Sequence, residues 1–279
     1  MKKSKKLKYS GNLILILAFV LAAAALFNGV SAQGRAEKLV PGKNYSWYFK
    51  PVPDNKQPDF DVDLDELKQY GAYALGNSDD SEDNNDKEDK VIYLTFDFGF
   101  ENGNVKKCLD ALNANGVKGA FFILDHVIRR HPELIKEMAE TGHIVANHTM
   151  KHKNMCYVTD FAEYERELRG LEELYEETTG RKMAKYYRPP KGEFTKQNLE
   201  YNHKLGFKTI FWSLAYKDWD EANQPNADET VQKLLKRTHN GAVVLLHPTS
   251  DTNAAILDTL IKEWKKLGYR FGTLDELTK

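Results

Sequence analysis

The fold is decided by the stretch Val91-Ile92-Tyr93-Leu94-Thr95-Phe96-Asp97, in which an apolar run of strand length ends at a carboxylate. A run without alternation of polar and apolar side chains is typical of a strand buried on both faces of a parallel sheet. A helical pattern follows over residues 104–115 and ends at Gly116. The stretch is therefore predicted to form the first β-then-α unit of an α/β domain over residues 91–279.

The same order of elements recurs towards the C-terminus. Further strands are predicted at residues 119–124, 143–147, 185–187, 208–213, 242–246 and 269–271. The clearest helices between them cover 160–179, where Asp160 and Glu163 form a capping pair, and 251–267, which ends before Gly268. About seven units result. A barrel or near-barrel accommodates these units better than an open sheet does.

The first 32 residues predict export. Five lysines open the chain, at Lys2, Lys3, Lys5, Lys6 and Lys8. A 15-residue apolar run at 13–27 follows, and Val30-Ser31-Ala32 supplies a small-x-small cleavage site. The run is shorter than the roughly 20 residues of a membrane span, so we expect a secretory signal peptide cut after Ala32. We expect the signal segment to contact the membrane transiently. An uncut membrane anchor is the alternative.

Two segments connect this N-terminus to the domain. Residues 33–75 hold scattered aromatic residues together with Pro51, Pro53 and Pro58, which predicts an N-terminal arm packed on the domain rather than a long helix. Residues 76–90, GNSDDSEDNNDKEDK, are acidic and lack periodicity, which predicts a disordered loop. A calcium loop is the weaker interpretation, because the ligand spacing and the closing Glu are missing.

Composition excludes several classes of protein. With 41% hydrophobic and 11% aromatic residues, the 279-residue chain has the material for a core and is not wholly disordered. Its net charge of −1 becomes −6 when the five lysines of the signal are removed, so we expect no nucleic-acid partner. Cys108 and Cys156 are too few for a disulfide-stapled scaffold. Two free thiols are the favoured interpretation, and a disulfide between them is the alternative.

Ionisable side chains follow five of the predicted strands. They are Asp97, His148 with His152, Arg188, Asp218 and His247. The carboxyl ends of the strands in a β/α barrel meet at one face, and active sites are built there. An ordinary solvent-exposed surface does not explain why two Asp, three His and one Arg all follow predicted strands. The sequence therefore predicts an active site at this face.

The two motifs in the middle of this set have ordinary alternatives. His148 and His152 are four residues apart, as on one face of a helical turn, and could bind Zn²⁺, although surface histidines also occur at this spacing by chance. The turn Arg188-Pro189-Pro190-Lys191-Gly192 restricts where the arginine points, which suits it to clamping a carboxylate. An exposed arginine on an ordinary loop is its alternative. His143 begins a strand and is expected to be structural, and nothing pairs with His126 by spacing.

Together the motifs resemble a known family. Thr95-Phe96-Asp97, His148-x-x-x-His152, Arg188-Pro189-Pro190-x-Gly192, Asp218-Trp219 and Leu245-Leu246-His247 are similar to the five ordered motifs of NodB-type polysaccharide deacetylases, which are carbohydrate esterases of family four. Longer strings, including Trp47-Tyr48-Phe49 and residues 93–103, resemble the delta-lactam-biosynthetic de-N-acetylases of endospore-forming bacteria. Members of that subfamily remove acetate from muramic acid in peptidoglycan, a step towards the muramic delta-lactam of the spore cortex.

The resemblance implies a distorted (β/α)7 barrel and a metal-dependent amide hydrolase located in the cell wall or the spore intermembrane space. Asp97 would be the general base, with Arg188 setting its pKa, and His247 the general acid, tuned by Asp218. His148 and His152 would hold a divalent metal, most simply zinc. Three further residues would bind substrate: Leu245 at the acetyl methyl group, Lys191 through its backbone N–H at the oxyanion, and Trp219.

One residue departs from the family pattern. Most members carry a second Asp directly after the base as a metal ligand, whereas this chain has Phe98 at that position. The subfamily that this chain resembles also lacks that Asp. We therefore expect weaker metal binding, with water or Asp97 completing the shell, and a gain in zinc affinity on Phe98→Asp. Phe98 also supports an alternative, a non-catalytic wall-binding protein on the same scaffold. A deacetylase of another N-acetylated polysaccharide is the second alternative.

Overall fold

Side chains of the barrel strands point alternately into two apolar layers, one inside the barrel and one beneath the helices.

The structure is a computed structural model that describes residues 36–76 and 90–279. The predicted signal peptide at 1–32 and residues 77–89 of the predicted acidic loop lie outside the described residues. Residues Glu37–Lys279 form one compact unit.

The strands of the described residues fall into an N-terminal group and a domain group. The first group is β1 (Asn44–Ser46), β2 (Phe49–Lys50), β3 (Asp59–Phe60) and β4 (Ala72–Tyr73). The second group is β5 (Val91–Phe98), β6 (Ala120–Ile123), β7 (Ile144–Asn147), β8 (Tyr186–Tyr187), β9 (Glu193–Thr195), β10 (Lys208–Ile210), β11 (Ala242–Leu246) and β12 (Arg270–Phe271).

Helices separate most of these strands. They are α1 (Leu64–Gln69), α2 (Asn104–Ala114), α3 (Asp125–Arg130), α4 (Pro132–Glu140), α5 (Phe161–Thr179), α6 (Lys196–Lys204), α7 (Ala227–Arg237), α8 (Asp251–Lys266) and α9 (Leu274–Leu277). The side chain of Asp160 accepts a hydrogen bond from the backbone of Glu163, as the capping pattern at the start of α5 predicts. In the described ranges, no helix has both the length and the apolar content needed to span a bilayer.

The main sheet is parallel and curls back on itself. Its strands have the order β11-β5-β6-β7-β8-β10-β4, and β12 pairs with the first residues of β5. Isolated bridges join the two ends of the sheet, between Leu75 and Ala242 and between Leu214 and Val244. The distorted (β/α)7 barrel is therefore confirmed, and all seven predicted strands are present. The arm adds β4, whose two residues are too short to carry a recognisable pattern.

Strand β5 shows how the two layers arise. Val91 and Tyr93 belong to the apolar cluster inside the barrel, whereas Leu94, Phe96 and Phe98 belong to the cluster beneath the helices. Successive side chains of a strand point to opposite faces, so Asp97 ends the row that faces the interior. The carboxylate thus emerges at the carboxyl end of the barrel.

The N-terminal segment packs on this end of the domain through aromatic side chains. The indole of Trp47 stacks on Phe211 with ring centroids 4.3 Å apart, and its Nε1–H donates to the carbonyl of Trp212 over 2.8 Å. Strand β1 pairs antiparallel with β9. These contacts bring residues 47–51 to the edge of the strand ends.

Candidate active site

Asp97 and Arg188 form a buried ion pair at the centre of the site. Nη1 of Arg188 donates to Oδ1 of Asp97 over 2.8 Å. The guanidinium also donates to the carbonyls of Ile210 and Phe211 and lies 4.3 Å from the ring centroid of Phe122. Burial acts to raise the pKa of Asp97, but the charge of Arg188 and its hydrogen bond hold it below its ordinary value. Asp97 is therefore ionised at neutral pH.

His148 presents one ring nitrogen to this carboxylate. Its Nδ1–H donates to the carbonyl of Arg188 over 2.8 Å, which leaves Nε2 with a lone pair, 3.8 Å from Oδ2 of Asp97. Burial lowers the pKa of His148 to about 4, so the imidazole is neutral. A neutral imidazole oriented through its other nitrogen is the state that a metal ligand requires.

The segment from His148 to His152 is a loop, and the predicted helical turn is wrong. Thr149 and His152 have left-handed backbones, with φ of 69° and 56°, and the backbone N–H of Thr149 donates to Oδ1 of Asn147 over 2.8 Å. The loop nevertheless brings the two imidazoles together, with ring centroids 5.0 Å apart. His148 and His152 are therefore neighbours, as expected, but a loop and not a helical turn brings them together.

His247 and Asp218 form the second ion pair of the site. Nδ1 of His247 donates to Oδ1 of Asp218 over 2.7 Å, and the backbone N–H of His247 donates to Oδ2 over 2.8 Å. Burial acts to lower the pKa of His247, but the hydrogen bond and charge of Asp218 raise it above its ordinary value. The imidazole is thus biased towards its protonated form.

Two residues that the sequence analysis missed support this pair. Nδ2 of Asn253 donates to Oδ2 of Asp218 over 2.7 Å and to the carbonyl of His247 over 3.0 Å. The hydroxyl of Tyr216 donates to Oδ1 of Asn253. Asn253 lies in the first turn of α8, where a polar residue is ordinary, so no sequence signal distinguished it.

A cleft of about 920 Å³ opens above these groups. It is lined by seven of the predicted site residues: Asp97, His148, His152, Lys191, Trp219, Leu245 and His247. The other two, Arg188 and Asp218, lie beneath the surface and hold Asp97 and His247. The remaining lining comes mainly from aromatic residues, including Trp47, Tyr48 and Phe49 of the N-terminal segment. In the sequence, residues 47–49 were notable only because they resemble a string of the subfamily, and no feature of them indicated contact with the site.

The two imidazoles fit a divalent metal, although the site is incomplete. Within residues 36–76 and 90–279, no group of three or more His, Cys, Asp or Glu side chains has the arrangement of a metal-binding cluster. His148 offers an oriented Nε2, and His152 lies beside it. Imidazole nitrogens are good ligands for Zn²⁺. A metal here would need a further ligand, from water or from Asp97.

The structure corrects the expectation about Phe98. Its ring packs edge-on against Phe121 with centroids 6.1 Å apart, in the layer beneath the helices and on the face of β5 opposite to Asp97. A carboxylate at this position would enter the core instead of the cleft. The expected gain in zinc affinity on Phe98→Asp therefore does not follow for this backbone.

The remaining candidates lie outside the cleft lining. His143 is structural: its Nδ1 accepts from the N–H of Gly119, and its Nε2 contacts Asn113. His126 contacts Asp125 and does not line the cleft. Cys108 and Cys156 are both buried and free, so the disulfide alternative is excluded.

Comparisons with known proteins agree with this geometry. The polysaccharide deacetylase family model matches residues 84–210. The peptidoglycan-N-acetylmuramic acid deacetylase PdaA of Bacillus subtilis is 37% identical over 259 residues, which cover 92% of this chain and 94% of that protein. The structure of PdaA, a family 4 carbohydrate esterase, is similar with a TM-score of 0.78 and covers 85% of this chain and 98% of its own.

Two further solved structures are similar. A family 4 carbohydrate esterase from Bacillus anthracis has a TM-score of 0.67 at 32% identity, over 85% of this chain and 96% of that one. A family 4 pseudoenzyme from the same organism has a TM-score of 0.66 at 25% identity, over 78% of this chain and 72% of that one. By its sequence and its fold, this chain belongs to the polysaccharide deacetylase family, and it is a carbohydrate N-deacetylase that hydrolyses amide bonds.

Proposed function

We propose that the protein removes acetate from N-acetylmuramic acid in the glycan strands of peptidoglycan. The observation that carries the proposal is that Asp97, clamped by Arg188, and His247, clamped by Asp218, face the same cleft. Similarity to PdaA over 92% of the chain supports the choice of substrate.

The two clamped residues supply the proton transfers of amide hydrolysis. Asp97, kept ionised by Arg188, accepts a proton from the attacking water. His247, kept protonated by Asp218, donates a proton to the leaving nitrogen. General acid and general base catalysis each contribute about 10²–10⁴-fold. Leu245, which lines the cleft, would contact the acetyl methyl group, and the backbone N–H of Lys191 would donate to the oxyanion.

His148 and His152 would hold a divalent metal, for which zinc is the simplest choice. When bound, the metal would act as a Lewis acid on the acetamide carbonyl. With two protein imidazoles, we expect its affinity to be lower than that of a site with three protein ligands. The exposed rings of Trp219 and Tyr48 offer apolar faces for sugar rings along the cleft.

The proposed product suggests a biological role. Deacetylation frees an amine beside the lactyl group of muramic acid, and condensation of that amine with the lactyl carboxyl, with loss of water, gives a delta-lactam. We therefore place the protein on the route to the muramic delta-lactam of the spore cortex. Export through the signal at 1–32 would deliver it to the cell wall or the spore intermembrane space.

A non-catalytic wall-binding protein is the second candidate. The similarity to a family 4 pseudoenzyme favours it. A binding module, however, has no need of two clamped acid–base residues. The two candidates differ in one observable, which is the release of acetate.

The test is acetate release from purified glycan strands, with and without stem peptides, in the presence of zinc or of a chelator. We expect release that the chelator abolishes and that Asp97→Asn reduces at least about 100-fold. Folded protein that releases no acetate from any strand, with zinc present, would favour the wall-binding candidate.

A further inference from the structure

The loop that carries His148 and His152 has an unfavourable backbone conformation at two residues. Thr149 and His152 have left-handed φ angles of 69° and 56°, which residues with a Cβ rarely adopt. Such a conformation persists only where surrounding contacts hold it. The N–H of Thr149 is bound to Oδ1 of Asn147, which fixes the start of the loop. The path from Met150 to His152 must be fixed by other contacts.

Asp125, the first residue of α3, holds this second part of the loop through both its backbone and its side chain. Its backbone N–H donates to the carbonyl of Met150 over 3.1 Å. Its carboxylate accepts a hydrogen bond from Nζ of Lys151 over 2.6 Å. Because β6 precedes α3 and pairs with β7, these two bonds tie the loop after β7 to the end of the neighbouring strand.

The carboxylate of Asp125 is a fixed point of attachment because it is buried. Its side chain is 1% exposed, and a buried charge is costly unless a counter-charge lies close to it. Lys151 supplies the nearest one, since Nε of Arg129 and Nδ1 of His126 lie 3.7 Å and 3.6 Å from the same carboxylate. His152 is the next residue along the chain, so the position of Lys151 helps to set that of the second imidazole.

We propose that Asp125 is a positioning residue for the metal site, which acts through Lys151 to hold His152 beside His148. The proposal rests on the proposed function, in which the two imidazoles bind a divalent metal. Ligands that are already held in place lose less conformational freedom when the metal binds, so the affinity is higher. Such a device matters most in a site with few protein ligands.

The measurement is the dissociation constant of zinc for the metal-free full chain, from titration against a chromogenic chelator of known affinity. In Asp125→Asn the ammonium of Lys151 loses its counter-charge. We expect the Kd to rise about tenfold, the lower end of the range for contacts that orient metal ligands. At zinc concentrations far above this Kd, acetate release should recover, because Asp125 does not line the cleft.

Lys151→Gln separates positioning from simple electrostatics. Loss of a positive charge near a bound cation favours binding, so electrostatics alone predicts a lower Kd for zinc in this variant. Positioning predicts a higher Kd, because the bond between residue 151 and Asp125 is lost. Lys151→Arg can still pair with the carboxylate and should keep the Kd close to that of wild type.

Lys153→Gln is the matched control. Lys153 directly follows His152, and its Nζ pairs with Glu163 of α5 and not with Asp125. Its loss removes the same charge on the other side of His152, so the Kd should equal that of wild type or fall slightly. Thermal unfolding midpoints of the metal-free variants show whether each is folded. The side chain of Lys151 is 64% exposed, so we expect Lys151→Gln to fold even if Asp125→Asn does not.

The outcomes separate this proposal from the proposed function. A higher Kd in both Asp125→Asn and Lys151→Gln, with no rise in Lys153→Gln, supports the positioning role. If wild type binds zinc and Lys151→Gln binds it as tightly or more tightly, the positioning role is overturned and the proposed deacetylation of muramic acid stands. If wild type binds no zinc, the metal-binding part of the proposed function fails, and this proposal fails with it.

Discussion

At the residue scale, His247 depends on Asp218 for its protonation state. Burial alone would favour the neutral imidazole, and the carboxylate of Asp218 reverses this preference. A group whose folded pKa is raised stays protonated to higher pH, and its function is lost as pH rises through that pKa. The alkaline limb of the pH–rate profile should therefore report His247.

Asp218→Asn tests this dependence. The amide keeps the shape of the side chain but removes its charge, so the pKa of His247 should fall. We expect the alkaline limb of kcat/KM for acetate release to move to lower pH, with a smaller maximal rate. An alkaline limb at the same pH in wild type and variant would exclude His247 as the general acid under Asp218 control.

The sequence predicted these residues because their positions follow from local pattern. Each follows a buried strand, and parallel strands deliver their carboxyl ends to one face. Asn253 and Tyr216 were missed since their roles come from contacts between distant segments. The conformation of residues 148–152 was misjudged for a related reason. A spacing of four residues fits a helical turn, but bonds to Asn147 and Arg188 decide the actual path.

At the element scale, the side chains of strand β5 point alternately towards the cleft end of the barrel interior and into the core beneath the helices. Asp97 faces the cleft, whereas Phe98 packs in the core against Phe121. The seven strands of the domain and their barrel-like arrangement were predictable from apolar runs of strand length that alternate with helical patterns. The face of β5 on which residue 98 lies, relative to His148 and His152, was not predictable, because a family motif does not say to which side of the strand each of its side chains points.

Phe98→Asp tests the orientation of this strand. A buried carboxylate without a partner replaces a packed aromatic ring, so we expect a loss of about 3–5 kcal/mol in the free energy of unfolding and no gain in zinc affinity. Urea denaturation and zinc titration measure the two quantities. A variant as stable as wild type with tighter zinc binding would mean that position 98 faces the metal site.

At the scale of the whole molecule, the N-terminal segment and the barrel build the cleft together. Trp47 stacks on Phe211 behind the strand ends, and Tyr48 and Phe49 line the cleft. The sequence predicted an arm on the domain, but it could not indicate that the arm reaches the site. Such contacts join residues that are far apart in sequence, so no local pattern predicts them.

Trp47→Ala tests the contribution of this segment. Loss of the stacked indole and of its bond to the carbonyl of Trp212 should cost about 3–5 kcal/mol in the free energy of unfolding. The KM for glycan strands should rise more than kcat falls, because Trp47 lies in the cleft wall and not at the reacting atoms. A change confined to kcat would contradict a substrate-binding role. Tyr157→Ala, at an exposed ring outside the cleft lining, is the control.

We expect the hydrolysed amide to belong to muramic acid. The most direct measurement is mass spectrometry of stem-free glycan strands, treated with the protein and zinc and then digested to disaccharides. We predict loss of one acetyl group from the muramic residue and intact N-acetylglucosamine, with no change for Asp97→Asn. Acetyl loss from glucosamine alone, or from neither sugar, would show that the protein is not a muramic acid deacetylase.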